Sequence, residues 1–281
     1  YLYLYFYIKL TLCLYSMITF VTSWYIVKAK FNKEVYAEWI NNLLANVNNF
    51  NLVIFTNEES KYMIEPYLKN KKIKAIVYEW DEFSTYKYKD KWVSNHEINH
   101  SLNNMVHWKL NMLWNEKINM VKIVKDSLIF PNNIFGWCDI GYFRCNSASI
   151  DFDTIKEWPN EDKVNGIDKH KIYYNQVCNS YYLNNLVRHA LTKSDTDLPV
   201  TPIPYNQISI AGGFFLTHGE NVNWWWNTFY SRLKLYFDNN YLVKDDQIIV
   251  IDCIANNLKH FKLIKQEAGL DPWFGFQTYL L

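Results

Sequence analysis

The sequence predicts an α/β fold with a mixed, mainly parallel sheet flanked by helices and an irregular C-terminal half. From residue 17 onward, short apolar runs rich in β-branched and aromatic residues alternate with amphipathic helical segments. This β-α-β order implies parallel strands with helices on the faces of the sheet. Two apolar runs also end in polar residues, at the carboxyl edge where such sheets bind ligands. The 281 residues are ample for the core of one large domain.

The first half of the chain shows the alternation most clearly. Three strands are predicted from MITFVTSWY (17–25), FNLVIF (50–55) and IKAIVYEW (73–80). After the first strand, Asn32 is the expected N-cap of a helix whose apolar residues recur every four positions. After the second strand, Thr56, Asn57 and Glu58 are expected to open another helix.

A polar, non-periodic segment, residues 81–101, predicts a long loop of the kind that often forms a lid. Apolar residues from Leu102 to Val121 then predict one helix that ends before Pro131. NIFGWCD (133–139) predicts the next buried strand, so Asp139 lies at the carboxyl end of a strand.

The second half is less regular, and the segments around Pro159 and Gly166 are polar. Its predicted elements are a helix in 173–191, a strand with a double glycine in 208–220, a helix in 223–237, a helix in 243–257 and a strand in 260–265. With no internal repeat and no low-complexity linker, residues 17–281 are predicted to form a single domain.

Residues 1–16 are predicted to be an N-terminal extension, upstream sequence translated in frame ahead of Met17. Two alternatives are a membrane anchor within residues 1–27 and an additional strand. Lys9 is the one charged residue of that stretch, and it would cost about 2.5 kcal/mol or more inside a bilayer. We expect a cytoplasmic protein, since five cysteines without a C-x-x-C pair favour a reducing compartment. Membrane association is expected only if residues 1–27 form an anchor.

Composition narrows the class of partner. Lys and Arg number 29 and Asp and Glu 28, so the net charge of +1 gives no electrostatic reason to expect nucleic acid. Aromatic residues make up 18% of the chain. Such side chains offer flat amphipathic surfaces for sugars or bases, and they also fill cores.

Three segments contain residues suited to chemistry on a sugar nucleotide. Asp139 could hold Mn²⁺ or Mg²⁺ against a diphosphate, with Gly141 allowing close approach of the backbone; a polar turn residue is the alternative. Gly212 and Gly213 indicate either a bulge or a backbone that approaches a ligand. Asp246 lies in a DDQ sequence at a helix start, where the helix dipole alone explains one of the acids.

The order of these segments resembles that of GT-A glycosyltransferases. More closely, the chain resembles the HtrL/YibB family of proposed glycosyltransferases over most of residues 17–281. The motifs that carry the likeness are short, and WCDIGYFR is the most distinctive; the others are VTSWY, LWNEK, ISIAGGFF, DDQ and WFGFQTYL. The resemblance implies a GT-A-like, Rossmann-like domain.

Roles follow from the resemblance position by position. Asp139 would bind the metal and the diphosphate, Lys117 and Arg144 would contact the donor phosphates, and Thr22, Ser23 and Tyr25 would line the nucleotide pocket. Gly212 and Gly213 would lie under the sugar, and Asp246 with Gln247 would face the donor sugar and the acceptor. Many GT-A enzymes have a second acid where this chain has Gly141, so His218 is a further candidate metal ligand.

The function implied is that of a metal-dependent glycosyltransferase. It would move a sugar from a nucleotide-sugar donor to an unknown acceptor, which could be a glycan, a protein or a lipid-linked molecule. A binding protein with the same fold and no turnover is one alternative, because the second acid is missing. A nucleotidyltransferase is the other.

Overall fold

The computed structural model describes residues 18–144, 150–265 and 271–281. Within these ranges seven strands form one sheet in the order β3-β2-β1-β4-β6-β5-β7. The strands are β1 (Ile18–Trp24), β2 (Phe50–Thr56), β3 (Ile73–Val77), β4 (Ile134–Cys138), β5 (Ile172–Gln176), β6 (Ile210–His218) and β7 (Phe261–Lys265). Strand β6 is antiparallel to both of its neighbours, and the remaining pairs are parallel. The predicted α/β fold class, with a mixed and mainly parallel sheet flanked by helices, is confirmed.

Helices cover both faces of this sheet. They are α1 (Lys33–Leu44), α2 (Lys89–Ile98), α3 (Trp108–Trp114), α4 (Lys117–Ser127), α5 (Phe152–Glu157), α6 (Glu161–Asn165), α7 (Ser180–Leu191), α8 (Gly219–Asp238), α9 (Asp246–Asn256) and α10 (Gly275–Tyr279). The predicted N-cap of α1 is confirmed, because the Asn32 side chain accepts a hydrogen bond from the amide of Val35. Short 3₁₀ turns connect several of the elements.

Strands β1, β2, β4, β5 and β6 are almost completely buried, as expected of a sheet with helices on both faces, whereas the edge strands β3 and β7 are partly exposed. Alternate side chains enter two apolar clusters, so that Val21 and Trp137 lie in one cluster and Phe20 and Cys138 in the other. Trp225 of α8 is fully buried in the first cluster. The fold therefore has three layers. Helices cover the faces of the sheet, and the ends of the strands are left for ligands.

Four sequence predictions were wrong in detail. Residues 81–101 contain α2, which is held by tertiary contacts and not by an apolar stripe: Trp92 is buried edge-on against Phe237, with ring centroids 4.7 Å apart. Residues 173–191 contain β5 and then α7, and the apolar run 102–121 contains α3 and the start of α4. The helix expected after β2 is replaced by 3₁₀ turns.

No helix in the described part of the chain is long and apolar enough to cross a membrane. The predicted extension, residues 1–16, lies outside the described residues.

Candidate functional site

The antiparallel pairing of β4 with β6 creates the centre of the site. Asp139 directly follows β4, and the start of β6 lies beside it, so that the Asp139 amide donates to the Gly213 carbonyl at 2.8 Å. The Asp139 carbonyl in turn accepts from the amide of Tyr142 at 2.9 Å. Asp139 is thus the first residue of a turn at the carboxyl edge of the sheet, and its carboxylate is available for another role.

Lys117, at the start of α4, connects two carboxylates from distant parts of the chain. Its Nζ lies 3.3 Å from Asp139 Oδ1 and 3.2 Å from Asp246 Oδ2, and it donates to the Gly212 carbonyl at 2.8 Å. The Lys117 and Asp246 side chains are 7% and 9% exposed, whereas that of Asp139 is 40% exposed. We call Lys117, Asp139 and Asp246 the ionic triad.

Burial and charge set the protonation of the triad. Burial alone would lower the pKa of Lys117, but the carboxylates of Asp139 and Asp246 outweigh it and the pKa is raised. Burial raises the pKa of Asp246 to about 6, and Asp245 and Asp139 act in the same direction against the opposing charge of Lys117. Lys117 is therefore a fixed cation, and Asp246 changes its charge near neutral pH.

Two adjoining cavities meet at the triad. The first has a volume of about 130 Å³ and is lined mainly by aromatic and aliphatic side chains, among them Trp24, Tyr36, Trp39 and Trp114. The second has a volume of about 430 Å³ and more charged side chains in its lining, which includes Gly212, Gly213, Asp245, Asp246, Gln247 and the segment 271–274. Lys117, Asp139, Gly141 and Arg144 line both cavities, as do Phe31, Tyr36 and Trp114.

Arg144 lies between aromatic rings at the border of the two cavities. Its guanidinium carbon is 4.3 Å from the centre of the Trp39 ring and 5.1 Å from that of Phe274, and its Nε donates to the Gly141 carbonyl at 3.1 Å. A Cβ on Gly141 would lie 2.7 Å from Trp39 Cε3. Gly141 is therefore required for the packing of Trp39, which in turn supports Arg144.

The structure brings most of the predicted residues together. Ser23, near the end of β1, and Tyr25, directly after it, line the first cavity, where the Tyr25 hydroxyl donates to the Tyr78 carbonyl at 2.7 Å. Thr22 is fully buried within β1 and lines neither cavity. The cavity lies at the carboxyl end of the strand, where Ser23, Trp24 and Tyr25 line it.

His218 is not part of the group. It pairs with Ile134 at the start of β4, whereas Asp139 follows the end of β4. Its Nδ1 accepts from the Glu220 amide at 3.4 Å, as the N-cap of α8. The antiparallel direction of β6 carries His218 away from the triad, so the structure does not bring it near Asp139.

Several site residues were not predicted from the sequence. Trp39 and Tyr36 belong to the apolar face of α1, which the sequence indicated only as core, and Trp114 lies in the LWNEK motif without an assigned role. Asp245 had no role of its own, since the helix start was expected to explain one acid of DDQ, but its side chain makes no cap hydrogen bond within the described part of the structure. The sequence signal that could have identified the aromatic cavity residues was the spacing of aromatic residues near the carboxyl ends of β1 and β4.

Gly213 provides a geometric test of the site. A Cβ at this position would lie 3.2 Å from Asp139 Oδ2, so Gly213→Ala is expected to displace the carboxylate by a few tenths of an ångström. We expect turnover to fall roughly tenfold with little change in thermal stability. Gly219→Ala is the matched control, because its Cβ would meet Phe135 at a similar 3.3 Å at the opposite edge. Equal turnover in both variants would contradict the assigned position of the site.

The chain is similar to known proteins in structure and not in sequence. No protein-family model matches the chain, and no curated protein matches it. Among solved structures, it is similar to the 4-diphosphocytidyl-2C-methyl-D-erythritol synthase of Anaerococcus prevotii DSM 20548, with 11% sequence identity, a TM-score of 0.41, and coverage of 94% of this chain and 98% of that one. At such a score the likeness carries no argument about what this chain binds or does.

Proposed function

We propose that this chain is a glycosyltransferase that uses a nucleotide-sugar donor, as its resemblance to the HtrL/YibB family implies. The observation that carries the proposal is the ionic triad, which lies where a cavity lined mainly by apolar side chains meets a larger cavity with more charged side chains. A nucleotide-sugar has the same order of parts: a flat base and ribose, a diphosphate, and a polar sugar. The acceptor would enter the second cavity and is not identified.

The first cavity suits the nucleoside. Indole and phenol rings of Trp24, Tyr36, Trp39 and Trp114 surround it, and such rings stack on a base at little conformational cost. Arg144 lies at the border of this cavity, where the planar guanidinium can contact phosphate oxygens. Lys117 directs its Nζ at Gly212, Asp139 and Asp246, so it acts on the phosphates through its charge and by positioning Asp139.

The residues present fit Mn²⁺ or Mg²⁺ only as a metal shared with the donor. Trp137 Nε1 donates to Asp139 Oδ1 at 2.5 Å and Lys117 pairs with the same oxygen, while Oδ2 has no hydrogen bond from any described residue. Residues 18–144, 150–265 and 271–281 contain no cluster of three His, Cys, Asp or Glu side chains that could bind a metal. One carboxylate with substrate phosphates and water is a usual Mg²⁺ environment.

The charges that line the second cavity also support a divalent cation shared with the donor. Its lining includes four carboxylates, from Asp139, Asp245, Asp246 and Asp271, and three cationic side chains, from Lys30, Lys117 and Arg144. A diphosphate would add further negative charge to this lining. A divalent cation on Asp139 Oδ2 would offset that charge and stabilise the departing nucleoside diphosphate.

The transfer breaks the bond between the sugar anomeric carbon and the diphosphate oxygen and forms a bond to the acceptor oxygen. In an inverting reaction Asp246 would take the acceptor hydroxyl proton as general base. In a retaining reaction its carboxylate would instead stabilise positive charge on the sugar, and the acceptor hydroxyl proton would pass to the departing diphosphate oxygen. In both cases the ionised form of Asp246 is the active one.

The pKa of Asp246 predicts the pH dependence of turnover. Lys117, Asp139 and Asp245 surround the group, and the pKa is raised to about 6. Below that pH the carboxylate is protonated, so kcat/KM should fall about tenfold per pH unit, and above it the rate should reach a plateau. Asp246→Asn should lose about 10²–10⁴-fold in rate. A profile of kcat/KM from pH 4.5 to 8.5 that stays flat would contradict this role.

Product analysis tests the proposal. The protein is incubated with a panel of uridine, guanosine, cytidine and thymidine diphosphate sugars and Mn²⁺, and the products are separated by chromatography. Nucleoside diphosphate and free or transferred sugar support a glycosyltransferase. In a parallel incubation with added pyrophosphate, nucleoside triphosphate and sugar 1-phosphate would indicate a nucleotidyltransferase instead, and binding without turnover would indicate a binding protein.

A further inference from the structure

Asp245 occupies the N-cap position of α9, but its side chain does not cap the helix. An aspartate at an N-cap ordinarily accepts a hydrogen bond from an amide of the first helical turn. Here the backbone is fully extended, with φ −157° and ψ −178°, and the side chain caps no amide among the described residues. The carboxylate is left for another partner.

The two carboxylate oxygens of Asp245 differ in their surroundings. Oδ2 pairs with Lys244 Nζ at 3.2 Å, and the side chain is 10% exposed. Oδ1 is buried and has no hydrogen-bond partner in the described structure. Buried carboxylate oxygens in folded proteins are almost always hydrogen-bonded, so Oδ1 is expected to have a partner beyond the described residues. The cavity that the side chain lines is the second cavity.

Trp273 is a second, independent feature of the same cavity. It lies in the 3₁₀ turn Pro272–Phe274 and is 36% exposed, although the chain buries most of its large aromatic side chains. Its indole lines the second cavity. A flat apolar ring beside carboxylate acceptors suits a pyranose, which has an apolar face of C–H groups and a rim of hydroxyl donors.

We propose that the second cavity is a sugar subsite in which the Asp245 carboxylate accepts a hydrogen bond from a sugar hydroxyl and the Trp273 ring packs on the sugar face. This contact requires a rotation about the Cβ–Cγ bond that turns an Asp245 oxygen towards the cavity that the residue lines. Asp245 is then a specificity-determining residue, distinct from Asp246, which faces the reacting bond. The inference rests on the proposed function and adds to it the residues that select the sugar.

The sugar could belong to the donor or to the acceptor, and two titrations distinguish them. In the first, affinities for UDP-glucose and for UDP are compared, or the corresponding pair from the panel. In the second, the protein saturated with the nucleoside diphosphate is titrated with methyl glycosides of common hexoses and followed by saturation-transfer NMR. The variants are Asp245→Asn, Trp273→Ala and Trp273→Phe. Lys244→Met is the control, because it removes the ion pair and keeps the carboxylate.

For a donor sugar, Asp245→Asn should reduce the extra affinity of the nucleotide-sugar over the nucleoside diphosphate about tenfold, and Trp273→Ala by a similar factor. Trp273→Phe should recover part of that loss, and Lys244→Met should match the unsubstituted protein. For an acceptor sugar, the same pattern should appear with the methyl glycosides instead.

Other outcomes would overturn the inference in distinguishable ways. Binding of nucleotide-sugars and glycosides that is unaffected by Asp245→Asn and Trp273→Ala would overturn the subsite alone. Failure of the unsubstituted protein to bind any nucleotide-sugar would overturn the proposed function, and the subsite with it. If Asp245→Asn weakened binding of the nucleoside diphosphate itself to the same extent, the residue would be structural.

Discussion

Lys117→Met is expected to lower the free energy of unfolding by about 3–5 kcal/mol, the typical cost of removing one partner from a buried ion pair. Lys117 is the cation paired with Asp246, and both side chains are more than nine-tenths buried. Without it Asp246 keeps an uncompensated charge in a site that also contains Asp139 and Asp245. Urea unfolding followed by tryptophan fluorescence measures the effect.

The pH dependence of this loss follows from the sign of the charge. Removal of Lys117 raises the pKa of Asp246 further, so at pH 5 the carboxyl becomes neutral and the loss of stability shrinks. At pH 8 the full loss remains. Lys117→Met with Asp246→Asn should recover part of the stability, because the buried charge is removed with its partner.

Lys122→Met is the matched control for this prediction. Lys122 lies in the same helix, its side chain is 30% exposed, and its pairing with Asp126 is at the surface. Such pairs contribute about 0–1 kcal/mol. An unfolding free energy of Lys117→Met equal to that of Lys122→Met would show that the triad does not hold the site together.

Asp139→Asn is expected to weaken the metal-dependent binding of nucleoside diphosphates about 100-fold, roughly 2.7 kcal/mol. Asparagine keeps the shape of the side chain and can still accept from Trp137, but it loses the charge needed by a divalent cation. Because the Asp139 side chain is 40% exposed, the fold should tolerate the change. Calorimetric titration of UDP or GDP with and without Mn²⁺ measures the effect.

Asp153→Asn is the control for that experiment, since the Asp153 side chain is 93% exposed and lines neither cavity. It should bind as the unsubstituted protein does. Equal affinities of Asp139→Asn and Asp153→Asn, with Mn²⁺ making no difference to either, would show that Asp139 binds neither the metal nor the phosphates.

The position of Asp139 could be predicted because its determinants are local. A buried run followed by a polar residue indicates a strand and its carboxyl end, and that end is the usual ligand edge of an α/β sheet. The same applies to the start of α9, where Asp245 and Asp246 precede a strongly apolar helix. These elements are specified by nearby residues, so the sequence alone was sufficient.

The ionic triad could not be predicted from local patterns. Lys117 and Asp246 are 129 positions apart in the sequence, and they meet because β6 runs antiparallel beside β4. That pairing also decides that Gly213 lies beside Asp139 and His218 at the other edge. Strand direction depends on long-range contacts, which a periodicity of apolar residues does not report.

The aromatic lining of the first cavity could not be predicted from local patterns either. Trp39 and Tyr36 have the spacing of a core-facing helix side, and periodicity cannot tell a side chain that fills a core from one that lines a cavity. Their role depends on Gly141, whose missing side chain leaves room for the Trp39 ring. The glycine was noticed in the sequence, but the reason for it lies in tertiary packing.

The most direct test of the central claim is the initial rate of nucleoside diphosphate release from the nucleotide-sugar panel with Mn²⁺, measured side by side for the unsubstituted protein, Asp139→Asn and Asp153→Asn. We expect release from at least one donor, unchanged in Asp153→Asn and reduced at least about 100-fold in Asp139→Asn. No release from any donor, or the same rate in all three proteins, would contradict it.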